Sequence, residues 1–170
     1  MNMKKLIVTL VVALITFFGY NSLNAQNMKK EEVPQNISAF PIGEENVGFK
    51  QYFTGESWLA RLTSNKDLNV PMSNVTFEPG CRNNWHIHRA TKGGGQMLIG
   101  VAGRGWYQEE GKPAVEILPG TVIHIPANVK HWHGAASDGW FAHLAFEVPG
   151  EDTSNEWLEP VTDEEYDKLK

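Results

Sequence analysis

Two neighbouring segments govern how the rest of the chain is read: Asn84-Trp85-His86-Ile87-His88 and, after residues 89–95, Gln96-Met97-Leu98-Ile99-Gly100-Val101. In an extended strand successive side chains point to opposite faces, so His86 and His88 share one face with their attachment points about 6.6 Å apart. At that separation both imidazoles can converge on one ion. The same spacing recurs at His131 and His133, and all six histidines (86, 88, 124, 131, 133 and 143) lie in the second half of the chain. A lone histidine is more often a hydrogen-bonded core or surface group than a ligand. Two His-x-His pairs in one small chain shift the reading toward a metal site.

Outward from these segments, short apolar runs recur at 51–63, 73–77, 84–88, 96–101, 105–108, 114–118, 121–125, 131–135 and 140–148. Between them stand Pro79-Gly80, Gly103-Arg104-Gly105, Glu110-Gly111 and Pro119-Gly120, whose backbone preferences suit tight turns. This spacing predicts an all-β fold of about nine short strands, closed as a sandwich or barrel so that few edges stay open. The only predicted helix is at the C-terminus, where Thr162-Asp163-Glu164-Glu165 forms a capping box with Lys168 and Lys170 in the last turn. Gly93-Gly94-Gly95 lacks the lysine and hydroxyl residue of a phosphate loop and precedes a strand, so it reads as a flexible loop.

The chain has 170 residues, room for one domain and an additional segment. Lys4 and Lys5 precede fifteen uncharged residues, 6–20, and polar residues 21–24 follow. A bilayer-spanning helix needs about 20 apolar residues, so 1–25 is read as a secretory signal peptide cleaved before Gln26, and the mature chain as periplasmic or secreted. Cleavage removes two lysines and no acids, which takes the net charge from −5 to −7 and argues against nucleic acid as a partner. No stable membrane insertion is expected after cleavage. Cys81 is the only cysteine, so no intrachain disulfide exists, and it reads as a packed bystander thiol. Polar residues 26–50 read as an extended N-terminal arm, leaving 51–170 as the domain.

Gly80-x5-His86-x-His88 followed by Gln96-x6-Gly103 resembles the first motif of the cupin family, and Pro119-Gly120 with His131 resembles the second. The resemblance implies a double-stranded β-helix, that is, a jelly-roll barrel. More closely, Gly103-Arg104-Gly105-Trp106, Gln108-Glu109-Glu110-Gly111, Lys130-His131-Trp132-His133-Gly134-Ala135 and Val161-Thr162-Asp163-Glu164 are similar to small monodomain cupins. These occur with, or fused to, carboxymuconolactone decarboxylase-like proteins, and the group includes manganese-dependent hydroxynitrile lyases. Carried over by residue, the resemblance makes His86, His88, Gln96 and His131 the ligands of one divalent metal per chain. Mn or Fe leads, with Ni or Zn as alternatives. His133 and His143 become the catalytic proton-transfer groups at the barrel mouth. A small-molecule substrate and a homodimer are likewise implied.

The chain departs from the family pattern in two ways. The loop between His88 and Gln96 is longer than usual, so residues 89–95 must carry Gln96 back to the metal. Position 96 is Gln where most cupins have Glu, a change shared with the lyase group. Three neutral imidazoles and an amide oxygen leave a divalent charge uncompensated, which strengthens a Lewis acid and disfavours a trivalent ion. The expectation is therefore lyase-type activation of a small oxygenated substrate, ahead of a non-catalytic ligand-binding cupin or a dioxygenase. His124 reads as packing or structural. Trp85, Trp106, Trp132, Trp140 and Trp157 read as core, with Trp85 and Trp132 facing away from the histidines.

Overall fold

The computed structural model describes residues 33–34, 36–63 and 70–169. Residues 1–25, read above as a signal peptide, and the start of the expected arm lie outside the described residues. Among the described residues fifteen strands follow in order: β1 (Glu44–Glu45), β2 (Phe53–Thr54), β3 (Ser57–Arg61), β4 (Met72–Phe77), β5 (Arg82–Asn83), β6 (His86–Arg89), β7 (Lys92–Gly93) and β8 (Gln96–Gly103). Then come β9 (Gly105–Glu109), β10 (Val115–Ile117), β11 (Val122–Ile125), β12 (Lys130–Ala135), β13 (Phe141–Glu147), β14 (Gly150–Glu151) and β15 (Ser154–Trp157). A 3-10 turn spans Val47–Tyr52, and a short α-helix, α1, spans Asp163–Tyr166.

One antiparallel sheet runs β1-β3-β4-β13-β8-β11, and the second runs β10-β9-β12-β5-β2, with β6 pairing both β12 and β15. Burial along β8 alternates strictly, as one face toward a core requires. Both sheets feed a single apolar core: Val75, Phe77, Leu98 and Phe141 from the first meet Tyr107, Ile117 and Ala135 from the second. Buried Cys81 belongs to this core, and burial pushes its thiol pKa well up, so it packs as an inert group.

The expected strand over 51–63 divides in the structure. Tyr52 ends the 3-10 turn, and Gly55, at φ 86°, reverses the chain between β2 and β3. The end of the arm is docked rather than free, because Glu44 and Glu45 pair with Leu59 and Trp58 of the barrel's own β3.

A second cluster covers the outer face of the second sheet, where Trp85 and Trp132 pack with Val161 and Tyr166. The Arg82 guanidinium lies 4.4 Å from the centre of the Tyr166 ring and donates to the Val161 carbonyl and the Asp163 carboxylate. Tyr166 donates its hydroxyl to the Ala135 carbonyl at 2.6 Å. Thr162 and Glu165 form the expected capping box, but the helix ends at Tyr166, and Lys168 lies beyond its last turn.

Phe77 is fully buried against Phe53 and Phe141 and also touches the rings of His133 and His143, so it is the floor beneath the histidines. Phe77→Ala is expected to lower stability by about 3–5 kcal/mol in urea unfolding, the range for truncating a buried aromatic.

Candidate metal centre

The antiparallel pairing of β6 with β12 sets His86 directly opposite His131, and their ring centres are 4.1 Å apart. His88, two residues along β6, has its ring 5.3 Å from His86 and 5.6 Å from His131. His133, two residues along β12, is 5.4 Å from His86. His143 enters from β13 of the other sheet, 4.7 Å from His133. All five are buried. Gln96 begins β8, and its Oε1 reaches to 3.4 Å from His131 Nε2. The sixth histidine, His124, is exposed on β11, so the packing role expected for it is not what the structure shows.

The long loop returns Gln96 through backbone geometry. Lys92 and Gly93 pair with β14, so the expected flexible loop is a pinned ribbon. Gly95, at φ 94°, then lets the chain turn against the neighbouring strand: a Cβ there would lie 2.2 Å from the Ile125 carbonyl oxygen.

A carbonyl can only accept a hydrogen bond, so two contacts fix two imidazoles. His86 Nδ1 donates to the Asn84 carbonyl and His131 Nδ1 donates to the Val129 carbonyl, each at 2.9 Å. Each ring therefore presents an unprotonated Nε2. Burial holds His86 and His133 far below the usual imidazole range, with repulsion from neighbouring histidines adding to it. Burial brings His131 and His143 down to about 4. His88 is also lowered by burial, partly offset by Glu147, whose Oε1 is 3.8 Å from His88 Nδ1. At neutral pH the cluster is five neutral imidazoles.

Among the described residues, the ligand atoms of His86, His131 and His133 all lie within 4.8 Å of one another. His133 thus stands closer to the ligand positions than its expected proton-transfer role required. Both of its ring nitrogens already have neighbours, however. Asn83 Nδ2 is 3.2 and 3.1 Å from Nδ1 and Nε2, and His143 Nε2 is 3.1 Å from Nδ1. Asn83 also accepts the His133 backbone N–H through Oδ1 at 3.0 Å, so this side chain holds ring and backbone together.

Sequence reasoning missed Asn83 and Glu147. It also placed Trp157 in the core, whereas its ring stacks on His86 at 4.8 Å and lines the cavity. No short-range pattern marks these residues, because each meets its histidine across a strand pairing or from the opposite sheet. The cavity holds about 270 Å³ and is lined by His86, His88, Gln96 and His133 together with the apolar side chains of Phe49 and Trp157.

The Cupin domain model matches residues 73–146, which span the segments from β4 to β13 that supply the histidine cluster. The chain is 42% identical over 120 residues to the (R)-mandelonitrile lyase of Granulicella tundricola, covering 70% of this chain and 88% of that protein. The chain belongs to the cupin family. A cupin-like protein from Thermotoga maritima is similar in structure, with TM-score 0.67 and 40% identity over 76% of this cupin and 95% of that chain. A cupin 2 conserved barrel domain protein from Rhodopseudomonas palustris has TM-score 0.52 at 14% identity, covers 68% of this chain and 73% of its own, and bears on the fold alone.

The donor set of this cupin fits a divalent cation. His131 Nε2 and Gln96 Oε1, as oriented here, are two lone-pair acceptors facing each other at 3.4 Å. A cation between them removes that conflict. His88 Nε2 is buried with no hydrogen-bond partner, a costly state that ligation also relieves. Mixed imidazole and amide-oxygen donors suit several first-row divalent ions.

The pKa shifts give the metal-stripped cupin a defined pH dependence. A free imidazole titrates near 6.5, whereas His131 and His143 are held to about 4, so between these values the unfolded chain takes up protons that the folded chain refuses. The histidine contribution is fully present above pH of about 6.5 and is lost as the pH falls toward about 4. Urea unfolding of chelator-treated protein across this window is expected to show stability falling with pH, with a shallower slope in His143→Gln.

Proposed function

We propose that this cupin is an exported, metal-dependent lyase that activates a small oxygenated substrate, with hydroxynitrile cleavage as the model reaction. The observation that carries this reading is the set of buried, neutral Nε2 atoms joined by an amide oxygen, with the compact cluster of ligand atoms among the described residues made of imidazoles alone. A divalent ion held by His86, His88, Gln96 and His131 would supply strong Lewis-acid polarisation of a hydroxyl or carbonyl oxygen. Mn2+ or Fe2+ is the preferred occupant on family grounds. The name of the Granulicella relative, a mandelonitrile lyase, supports the reaction class.

His133 lines the cavity, and His143 stands 3.1 Å behind its Nδ1, away from the cavity wall. In the cleavage direction His133 accepts the substrate hydroxyl proton. The electron pair of the O–H bond becomes the second bond of the carbonyl while the carbon–cyanide bond breaks. Cyanide leaves with the electron pair of the broken carbon–cyanide bond and takes the proton back from His133, giving an aldehyde and hydrogen cyanide. His143 and Asn83 keep the His133 ring in the orientation this transfer needs. Phe49 and Trp157 exclude water from the carbon skeleton. On the same reading, residues 1–25 would be a cleaved signal peptide and the mature chain would work in the periplasm or medium, with a homodimer proposed from the family resemblance.

Elemental analysis of protein purified without chelator tests this reading. About one Mn or Fe per chain is expected, reduced in His88→Ala and Gln96→Ala. His143→Ala should keep the metal while cyanide release from hydroxynitriles falls, because His133, the proton-transfer group, loses the ring that orients it. Metal loss in His143→Ala would make that residue a ligand instead. No metal in the parent protein, even after refilling, would favour a ligand-binding cupin.

A further inference from the structure

The geometry points to Arg61 as an anion-binding residue of the cavity, holding a carboxylate of the substrate while the substrate's hydroxyl or carbonyl oxygen faces the histidines. The assignment rests on the lyase reading and specifies its substrate class: a small carboxylate-bearing hydroxy or oxo compound, in place of a neutral cyanohydrin.

Strand register brings Arg61 to the site. Arg61 on β3 lies opposite Ser73 on β4, and Ser73 lies opposite Ala145 on β13; all three line the same cavity as His86, His88 and His133. The chain has four arginines, and three are committed elsewhere. Arg82 holds Asp163 and the Val161 carbonyl, Arg89 pairs with Glu156, and Arg104 pairs with Asp138 and Glu116. Arg61 has no hydrogen-bond or ion-pair partner among the described residues. A planar guanidinium with its donors free is suited to bidentate capture of a carboxylate.

The other charged group on this wall, Glu147, is not paired with Arg61. Glu147 accepts from Asn155 Nδ2 at 2.7 Å, and its Oε1 stands 3.8 Å from His88 Nδ1. The chain as a whole carries a net charge of −5, so its general field repels an anion. Attraction has to be local, and Arg61 supplies it. The cavity, at about 270 Å³, sets the scale of the ligand as a small molecule.

The test uses two probes with the same skeleton and hydroxyl but different charge, mandelate and mandelamide. Their affinities are measured by calorimetry for the parent protein, Arg61→Met and Arg61→Lys, with metal content determined on each sample and folding checked by circular dichroism. Arg61→Met is expected to weaken mandelate about tenfold and mandelamide less than about twofold, with Arg61→Lys between, as loss of a charge-assisted bidentate pair implies. Unchanged mandelate affinity in folded Arg61→Met at equal metal content would overturn the assignment and leave the metal site standing. Failure of the parent to bind mandelate at millimolar concentration would overturn it as well. An Arg61-dependent mandelate preference in protein that holds no metal would support the anion site and sink the lyase reading.

Discussion

The pairing of β6 with β12 is the constraint on which the site depends. It puts His86 and His131 opposite each other inside a barrel that excludes water, and burial then decides their chemistry. Each ring satisfies Nδ1 with the carbonyl two residues upstream and leaves Nε2 facing its neighbours. An array of lone pairs without donors is expensive in an apolar interior. Burial depresses the histidine pKa values, so protons do little to relieve that cost at neutral pH, and a divalent cation fits the donor set.

The rest of the molecule keeps that pairing rigid. On the inner side Phe77 and Phe141 pack beneath His133 and His143. On the outer side Trp85 and Trp132, the residues adjacent to the site histidines in sequence, pack under α1, which Arg82 and Tyr166 fasten to the sheet. One strand pair thus carries ligands on one face and a structural anchor on the other. The odd and even positions of β6 and β12 have separate tasks because a strand cannot send neighbouring side chains to the same side.

The cavity divides into a polar end and an apolar wall. Trp157 lies flat on His86 and is itself stacked on Tyr52 at 4.5 Å, so the wall is continuous with the docked N-terminal segment. Asn83, Glu147 and Asn155 each hold a histidine or one another's groups from behind. Supporting residues of this kind decide orientation and basicity as much as the ligands do.

Much of this was legible in the chain before folding. The His-x-His spacing put both members of each pair on one face, alternation and turn residues announced an all-β barrel, and the capping box at Thr162 marked the one helix. These are local properties, set by the two-residue period of a strand and the hydrogen-bonding needs of a helix end. Tertiary structure alone decided the rest. Whether Gln96 returned across its long loop depended on Gly95 fitting against Ile125, a contact between separate strands. That His133 is bound by Asn83, that Trp157 covers His86, and that Arg61 lines the cavity follow from register between strands far apart in sequence. Local spacing fixes which residues can share a face; only pairing and closure of the sheets decide what that face meets.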